Sequence, residues 1–280
     1  TESRQALMVE MTDTCGIKFD GMRDNWQATD GSFVPNTGGV YLSDYDSDGT
    51  TDLLIDDIDA GVRLYRGIGD GRFEDVTSAV GLPVLPDGES VAWTLSCWCD
   101  LDGDGDDDLI VEDRLFENDQ GRFRDVSERT NLLLTPANGY AVADYDLDGR
   151  LDLYVCHGGV YRAGQERLQN VRWIDGGTGI DNILWKNLGD WQFEDVTEST
   201  NTGGNGSSCF AAVWLDADGD LRPDLFAINE FGRNSLMMNT PAGRFSSTTI
   251  DPLFGGFSMG VTAGDFDNDG NTDILVANMY

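Results

Sequence analysis

Positive charge is what this chain of 280 residues has least of: 18 lysines and arginines face 51 aspartates and glutamates, with a single histidine and a formal net charge of −33. Nucleic-acid phosphates and anionic bilayer surfaces both recruit clusters of basic side chains, so this balance excludes either as a general partner. Long apolar stretches are missing too. The longest, Cys209 to Leu215, falls far short of the roughly 18 residues that read as a membrane span, and no membrane insertion is expected. No basic stretch leads into an apolar run at the start, which is Thr1 rather than Met, so a secretory leader is absent or already removed. Cysteine is sparse and odd in number: Cys15, Cys97, Cys99, Cys156 and Cys209 match neither zinc nor haem spacing, and buried thiols on strands are favoured over a structural disulfide. Their pairing stays open. With 40% apolar and 10% aromatic residues the chain can still bury a core and fold.

Glutamate is scarce as well, 11 against 40 aspartates, and that ratio has a cause in the sequence. One spacing, D-x-D-x-D-x-x-x-D followed by an apolar triplet, occurs five times and accounts for 20 of the 40 aspartates. The copies are Asp44, Asp46, Asp48, Asp52; Asp100, Asp102, Asp104, Asp108; Asp144, Asp146, Asp148, Asp152; Asp216, Asp218, Asp220, Asp224; and Asp265, Asp267, Asp269, Asp273. Two carboxylates about 5 Å apart repel by roughly 3 kcal/mol at an effective dielectric near 20, so four within nine residues call for a cation. An all-oxygen, flexible ligand set suits Ca²⁺ better than Mg²⁺, with the carbonyl at loop position seven as a further ligand. Gly49, Gly105, Gly149 and Gly270 stand at position six, where the turn needs positive φ; the fourth copy carries Leu221 instead, which predicts weaker binding there. An EF-hand is excluded, because position twelve holds Ile55, Val111, Val155, Ala227 or Val276 rather than glutamate.

Short apolar runs stand before and after each loop, so every loop is expected to join two strands. A second motif follows in phase, from an apolar pair through a Gly or Asn turn to F-x-D-V-T: Leu64-Tyr65 to Phe73, Leu115-Phe116 to Phe123, Leu184-Trp185 to Phe193, and a worn copy from Leu236 to Phe245. The nearly constant step is that of a hairpin. Four strands per unit without a helical period predict an all-β fold, a β-propeller of four-stranded blades forming one domain over 1–280. Five repeats are visible. Cys15-Gly16-Ile17 matches Val80-Gly81-Leu82, so Met8 to Thr12 reads as a fourth strand opening the chain. The fifth unit stops at Tyr280 after its second strand, which predicts a longer ring.

The pairing of D-x-D-x-D-G-x-x-D-[LI] with L-[YW]-[RK]-N-x-G-x-x-F-x-D-V-T resembles the FG-GAP or VCBS-type calcium-loop repeats of integrin alpha subunits and cartilage acidic protein-like proteins. The resemblance implies a propeller, commonly seven-bladed, with one Ca²⁺ per loop, up to five here. Carried over to this chain, the ligands are loop positions 1, 3, 5, 7 and 9, position seven being the carbonyls of Thr50, Asp106, Arg150, Arg222 and Asn271. Phe254-Gly255 keeps an F-G, but no copy shows G-A-P, and no integrin ligand residue carries over.

Alternate connections in a blade emerge on opposite ends, so the end away from the calcium loops carries the length variation. The third unit has an insertion of about 20 residues within 157–181, locally neutral through Arg162, Arg167, Arg172 and Glu166, Asp175, Asp181, with Tyr161 and Trp173 beside Gly176-Gly177. It is a candidate contact loop for a protein or glycan partner. Together these features predict a non-catalytic adhesion or interaction scaffold, secreted, periplasmic or on the cell surface, where calcium is abundant. The alternative is a calcium-stabilised, polysaccharide lyase-like enzyme with His157 as its base, although no nucleophile or phosphate-loop signature accompanies it.

Overall fold

The computed structural model describes residues 10–18, 38–86, 94–134, 137–158, 180–249 and 258–278. Four antiparallel sheets of four strands lie among them. Blade one is β1 (Gly38–Ser43), β2 (Asp52–Asp57), β3 (Gly61–Gly67) and β4 (Phe73–Asp75). Blade two is β5 (Ser96–Cys99), β6 (Asp108–Val111), β7 (Arg114–Asn118) and β8 (Phe123–Asp125). Blade three is β9 (Gly139–Ala143), β10 (Asp152–Cys156), β11 (Ile183–Gly189) and β12 (Gln192–Asp195), and blade four is β13 (Ser208–Leu215), β14 (Asp224–Phe231), β15 (Ser235–Asn239) and β16 (Phe245–Thr249). A fifth sheet is the pair β17 (Ser258–Gly264) and β18 (Asp273–Asn278). Strands follow chain order in every sheet, the up-and-down blade of a β-propeller. Among the described residues helix is confined to α1 (Thr197–Thr200) and two one-turn 3₁₀ segments.

The described chain divides into two compact units, Thr1–Trp98 with Asp106–Asp125, and Cys99–Gly105 with Val126–Tyr280. In the first, Leu54, Leu64, Leu109 and Phe116 form a core with Tyr45, Val62 and Phe123. In the second, Tyr154, Leu184, Leu225, Met237 and Phe245 do the same. The second strands are buried on both faces, as β6 and β10 show over their whole length, which is why they read as unbroken apolar runs rather than alternating ones. Each fully buried Leu or Phe contributes about 1.5–3 kcal/mol relative to exposure.

Three contacts recur between consecutive blades. Asn118, at the end of β7, donates its side-chain amide to the carbonyls of Tyr45 and Asp107; within the second unit Asn187 does so to Leu101 and Leu151, and Asn239 to Tyr145 and Pro223. Each clamps its own loop to the second residue of the preceding one. Tyr45 and Tyr145, at those second positions, pack 5.9 and 6.1 Å from Phe123 and Phe245 of the following blade. The third contact explains the F-x-D-V-T phase. Phe123 donates its N–H to Val80 O, and Phe73 donates to Cys15 O in the same way. The next residues, Gly16 and Gly81, have φ of +86° and +98°, and a Cβ on either would run into the following Phe carbonyl, so only glycine fits. At the same offset, Asn131 makes both bonds to the Phe193 backbone with its side-chain amide, and Asn201 donates to Phe245 O.

The match between Cys15-Gly16 and Val80-Gly81 is therefore structural. The expected opening strand Met8–Thr12 lies mostly outside the described residues; its end forms a turn in which Met11 O accepts from Thr14 and Cys15. Residues 159–179 of the insertion, with Tyr161, Arg162, Glu166, Arg167, Arg172, Trp173, Asp175 and Gly176-Gly177, also lie outside them, as do Phe254-Gly255 and Tyr280. No helix among the described residues is long and apolar enough to cross a membrane.

Candidate metal centres and a polar cleft

Each aspartate loop joins the first and second strands of its sheet. Hydrogen-bonded strand register brings position nine opposite the residue before position one: Ser43 pairs with Asp52, Ala143 with Asp152, Leu215 with Asp224 and Gly264 with Asp273. Inside the loops the carboxylates divide the work by position. Position one accepts from the backbone of positions five and six: Asp44 from Asp48 and Gly49, both at 2.9 Å, and likewise Asp144, Asp216 and Asp265. Position five accepts the N–H of position seven in Asp48, Asp148, Asp220 and Asp269, from Thr50, Arg150, Arg222 and Asn271. Position nine ties the loop to the sheet, with one oxygen on the N–H of position two and the other on the third strand. Asp152 thus accepts from Tyr145 at 3.1 Å and Asn187 at 2.8 Å, and Asp52 from Tyr45 and Gly67.

The second loop spans the junction of the two units, and each half repeats the pattern by itself. Asp100 accepts from Gly103, Asp104 and Gly105, while Asp104 also donates its backbone N–H to Asp102. Asp108 accepts from Asn118, and Asp106 accepts from Gln120 through its side chain.

These turns bend through two left-handed residues. Position six has φ of +85°, +98°, +91° and +89° in Gly49, Gly105, Gly149 and Gly270, and Leu221 adopts +67° in the fourth loop. Position four is left-handed as well, in Ser47, Gly103, Leu147, Gly219 and Asn268. Sequence reasoning found the first requirement but missed the second. Glycine marks position four in only two loops, so no residue type advertises it.

A cation fits these loops on three grounds. Carboxylate oxygens of Asp44, Asp46 and Asp48 lie within 4.8 Å of one another, as do those of Asp144, Asp146 and Asp152, of Asp216, Asp218 and Asp224, and of Asp265, Asp267 and Asp269. At position three, Asp46 Oδ1 and Asp146 Oδ1 are buried without a hydrogen-bond partner, whereas Asp218 and Asp267 accept from position five. Finally, burial pushes Asp52 up to about 6 and Asp152 up to about 7, the signature of a carboxylate whose charge needs a counterion. The third and fourth loops also carry internal cations: Lys186 reaches Asp146 and Asp148, Arg150 reaches Asp148, and Arg222 reaches Asp220.

At the opposite end of blades three and four, within the second unit, lies a cleft of about 990 Å³. One wall is Asp181 to Ile183 with Asp195, Thr197 and Glu198; the other is Arg233 to Ser235 with Arg244 and Ser247. Among the described residues no aromatic ring lines it. Asp181, the last residue of the sequence-predicted contact loop, stands at its edge. Sequence reading missed the remainder, because these residues fall in four separate segments with no shared motif. His157 does not open into it. The residue is 3% exposed, its backbone N–H donates to Asn182 Oδ1, its Nδ1 meets Asp181 O, and burial holds its pKa below the ordinary range.

Repeated four-stranded blades with an acidic loop between the first two strands define an acidic-loop β-propeller repeat protein. The FG-GAP-like repeat model matches residues 44–111, 100–155 and 216–276, and the chain belongs to that family. It is 28% identical over 203 residues to cartilage acidic protein 1 of Xenopus tropicalis, a match covering 64% of this chain and 30% of the relative. The chain thus spans about a third of that protein's length. Among solved structures it is similar to an Agrocybe aegerita lectin described for specific recognition of non-reducing terminal N-acetylglucosamine, with a TM-score of 0.50, 18% identity, and coverage of 88% of this chain and 61% of that one. That likeness is one of fold.

Proposed function

We propose that this chain is a calcium-stapled, non-catalytic interaction module that works outside the cytosol, secreted, periplasmic or on the cell surface. The observation carrying it is the fivefold loop with its orphaned Asp46 and Asp146 oxygens. Ca²⁺ would be held by positions 1, 3, 5 and 9 with the position-seven carbonyls of Thr50, Asp106, Arg150, Arg222 and Asn271. It would supply positive charge that neutralises the carboxylates and fixes each first strand to the second. The calcium loops supply no moving element, so the ion acts as a staple. A protein or glycan partner is then met at the other end, at the cleft of blades three and four, whose lining includes Asp181, the last residue of the 157–181 insertion. The similarity to cartilage acidic protein 1 supports an extracellular setting.

A carbohydrate-active enzyme is the second reading, favoured by the two arginines of the cleft. Against it, the base that the sequence suggests, His157, is buried with its Nδ1 on Asp181 O. The test is a thermal melt in millimolar Ca²⁺ and in excess EDTA, with bound metal counted by elemental analysis. Linkage gives about 2.7 kcal/mol per independent site once free calcium is about a hundred times Kd. Four or five ions and a collapsed melt in EDTA support the staple. An unchanged melt with little bound metal overturns it.

A further inference from the structure

Two thiols meet where blades three and four pack, and the blade pattern does not ask for them. Cys156 is the last residue of β10; at the same place after the loop, the other blades carry Asp56, Glu112 and Ile228. Cys209 lies at the start of β13, where the register with β14 slips by a bulge. Both side chains are fully buried in one core with Tyr154, Leu225 and Phe245. Burial, and then the neighbouring Cys209 thiol, push the Cys156 thiol well above its ordinary range.

The backbone around the pair is held as closely. Cys209 donates its N–H to the carbonyl of His157, the residue after Cys156, at 3.1 Å. Asn138 grips both cysteines: its backbone N–H donates to Cys156 O at 2.8 Å and its side-chain amide to Cys209 O at 3.2 Å. Two chain segments 53 residues apart in sequence (209 − 156) are thereby held side by side. The structure holds all five cysteines of the chain as free thiols.

We infer that Cys156 and Cys209 form a disulfide pair that covalently fastens blade three to blade four. The oxidant is a small-molecule or protein disulfide. With oxidised glutathione, one cysteine thiolate attacks a glutathione sulfur, the sulfur–sulfur bond breaks, and the first glutathione leaves as thiolate. The second cysteine thiolate then attacks the mixed disulfide at the protein sulfur and releases the second glutathione. Two cysteine thiols are oxidised, one glutathione disulfide is reduced to two thiols, and the two protons lost by the cysteines are recovered on glutathione. Thiolate is the attacking species, and burial disfavours it, so the bond forms during folding, before the blades close over the pair. Closing a loop of this length constrains the unfolded chain, and the folded state gains accordingly.

The experiment is to refold the full chain in a reduced and oxidised glutathione buffer, trap remaining thiols with an alkylating reagent, and map peptides by mass spectrometry. The expected result is a fall from five alkylated cysteines to three, with one cross-linked peptide joining Cys156 to Cys209 and a higher melting midpoint than the same protein kept reduced. Five alkylated cysteines in a chain that melts cooperatively overturn the inference. So does a cross-link through Cys15, Cys97 or Cys99, or a cross-link that leaves the midpoint unchanged. Cys156→Ser and Cys209→Ser should each keep four free thiols and lose the oxidative gain in midpoint. The wild-type count decides the matter even where a variant fails to fold. The thiol count is independent of bound calcium, so its outcome is separate from that of the metal test.

Discussion

The two ends of each blade are built by opposite rules. Where the first strand turns into the second, every sheet uses the same nine positions, the same pair of left-handed residues and the same carboxylate acceptors. Where the second turns into the third, the connection is three residues in blade one, two in blade two, twenty-six in blade three and three in blade four (58–60, 112–113, 157–182, 232–234). A cation site demands fixed oxygens and so fixes the chain that supplies them. The other end has no such demand and is free to vary, which is where a module of this kind can acquire a partner without altering its frame.

The largest expected break in that contrast comes from Asp152→Ala. This side chain is fully buried and accepts the N–H groups of both Tyr145 and Asn187, each of which would be left without its acceptor. At about 1–3 kcal/mol for each stranded donor, the loss is roughly 2–6 kcal/mol in EDTA alone, and larger in calcium. Arg233→Ala, in the cleft at the other end, should stay within about 0.5 kcal/mol. Chemical denaturation of both variants measures the difference. Equal losses would dissolve the division between a structural end and a free one.

A pH series sharpens the same comparison. Burial raises Asp52 to about 6 and Asp152 to about 7, and Glu112, through burial and then its neighbour Asp113, to about 6. A carboxyl whose folded pKa lies above its unfolded one favours the folded state while protonated. Its contribution is complete below the unfolded value near 4 and is lost as pH rises through 6 to 7. In EDTA the melting midpoint should therefore fall between pH 4.5 and 7.5. In millimolar calcium it should rise over the same interval, because protons compete with the ion for Asp52 and Asp152. Glu112→Gln, away from the loops, should reduce the slope in EDTA and leave the calcium-dependent rise in place. Slopes of one sign in both buffers would mean that the loops hold no cation.

The repeated end was legible in the sequence because its chemistry is local. Five D-x-D-x-D-x-x-x-D runs, their flanking apolar triplets and the Leu-to-Phe hairpins place nearly every strand boundary of the four blades, since a metal loop and a hairpin each fix residue types at short, constant spacing. The locks between blades were less visible. Asn118, Asn187 and Asn239 stand in the quoted motif, yet their bond to the preceding loop is a tertiary fact that no spacing announces. Asn131 in place of a glycine works because its side-chain amide accepts the Phe193 N–H, as the Cys15 and Val80 carbonyls accept those of Phe73 and Phe123, and also donates to the Phe193 carbonyl. Of the cleft only Asp181 was signalled, as the end of the 157–181 insertion: Glu198, Arg233 and Arg244 join it only after the blades have packed.

The smallest expected effect tests how far repetition alone governs the loops. Leu221 is 82% exposed and takes φ of +67° where the other four loops have glycine. A left-handed non-glycine residue costs on the order of 1–3 kcal/mol, while glycine returns about 0.5–1 kcal/mol of that through its greater freedom when unfolded. Leu221→Gly should therefore stabilise the chain by roughly 1 kcal/mol, readable as a shift in denaturant midpoint with unchanged slope. Its effect on metal is the more telling part. The Leu221 N–H already donates to Asp216 Oδ2 at 3.0 Å, matching the 2.9 Å bond from Gly49 to Asp44, so the fourth loop is already shaped like the first. Calcium stoichiometry should accordingly stay the same in wild type and variant, with affinity at this loop rising by no more than the relieved strain allows. A new ion appearing only in the variant would show that the backbone conformation at position six, rather than the carboxylates, decides which loops bind.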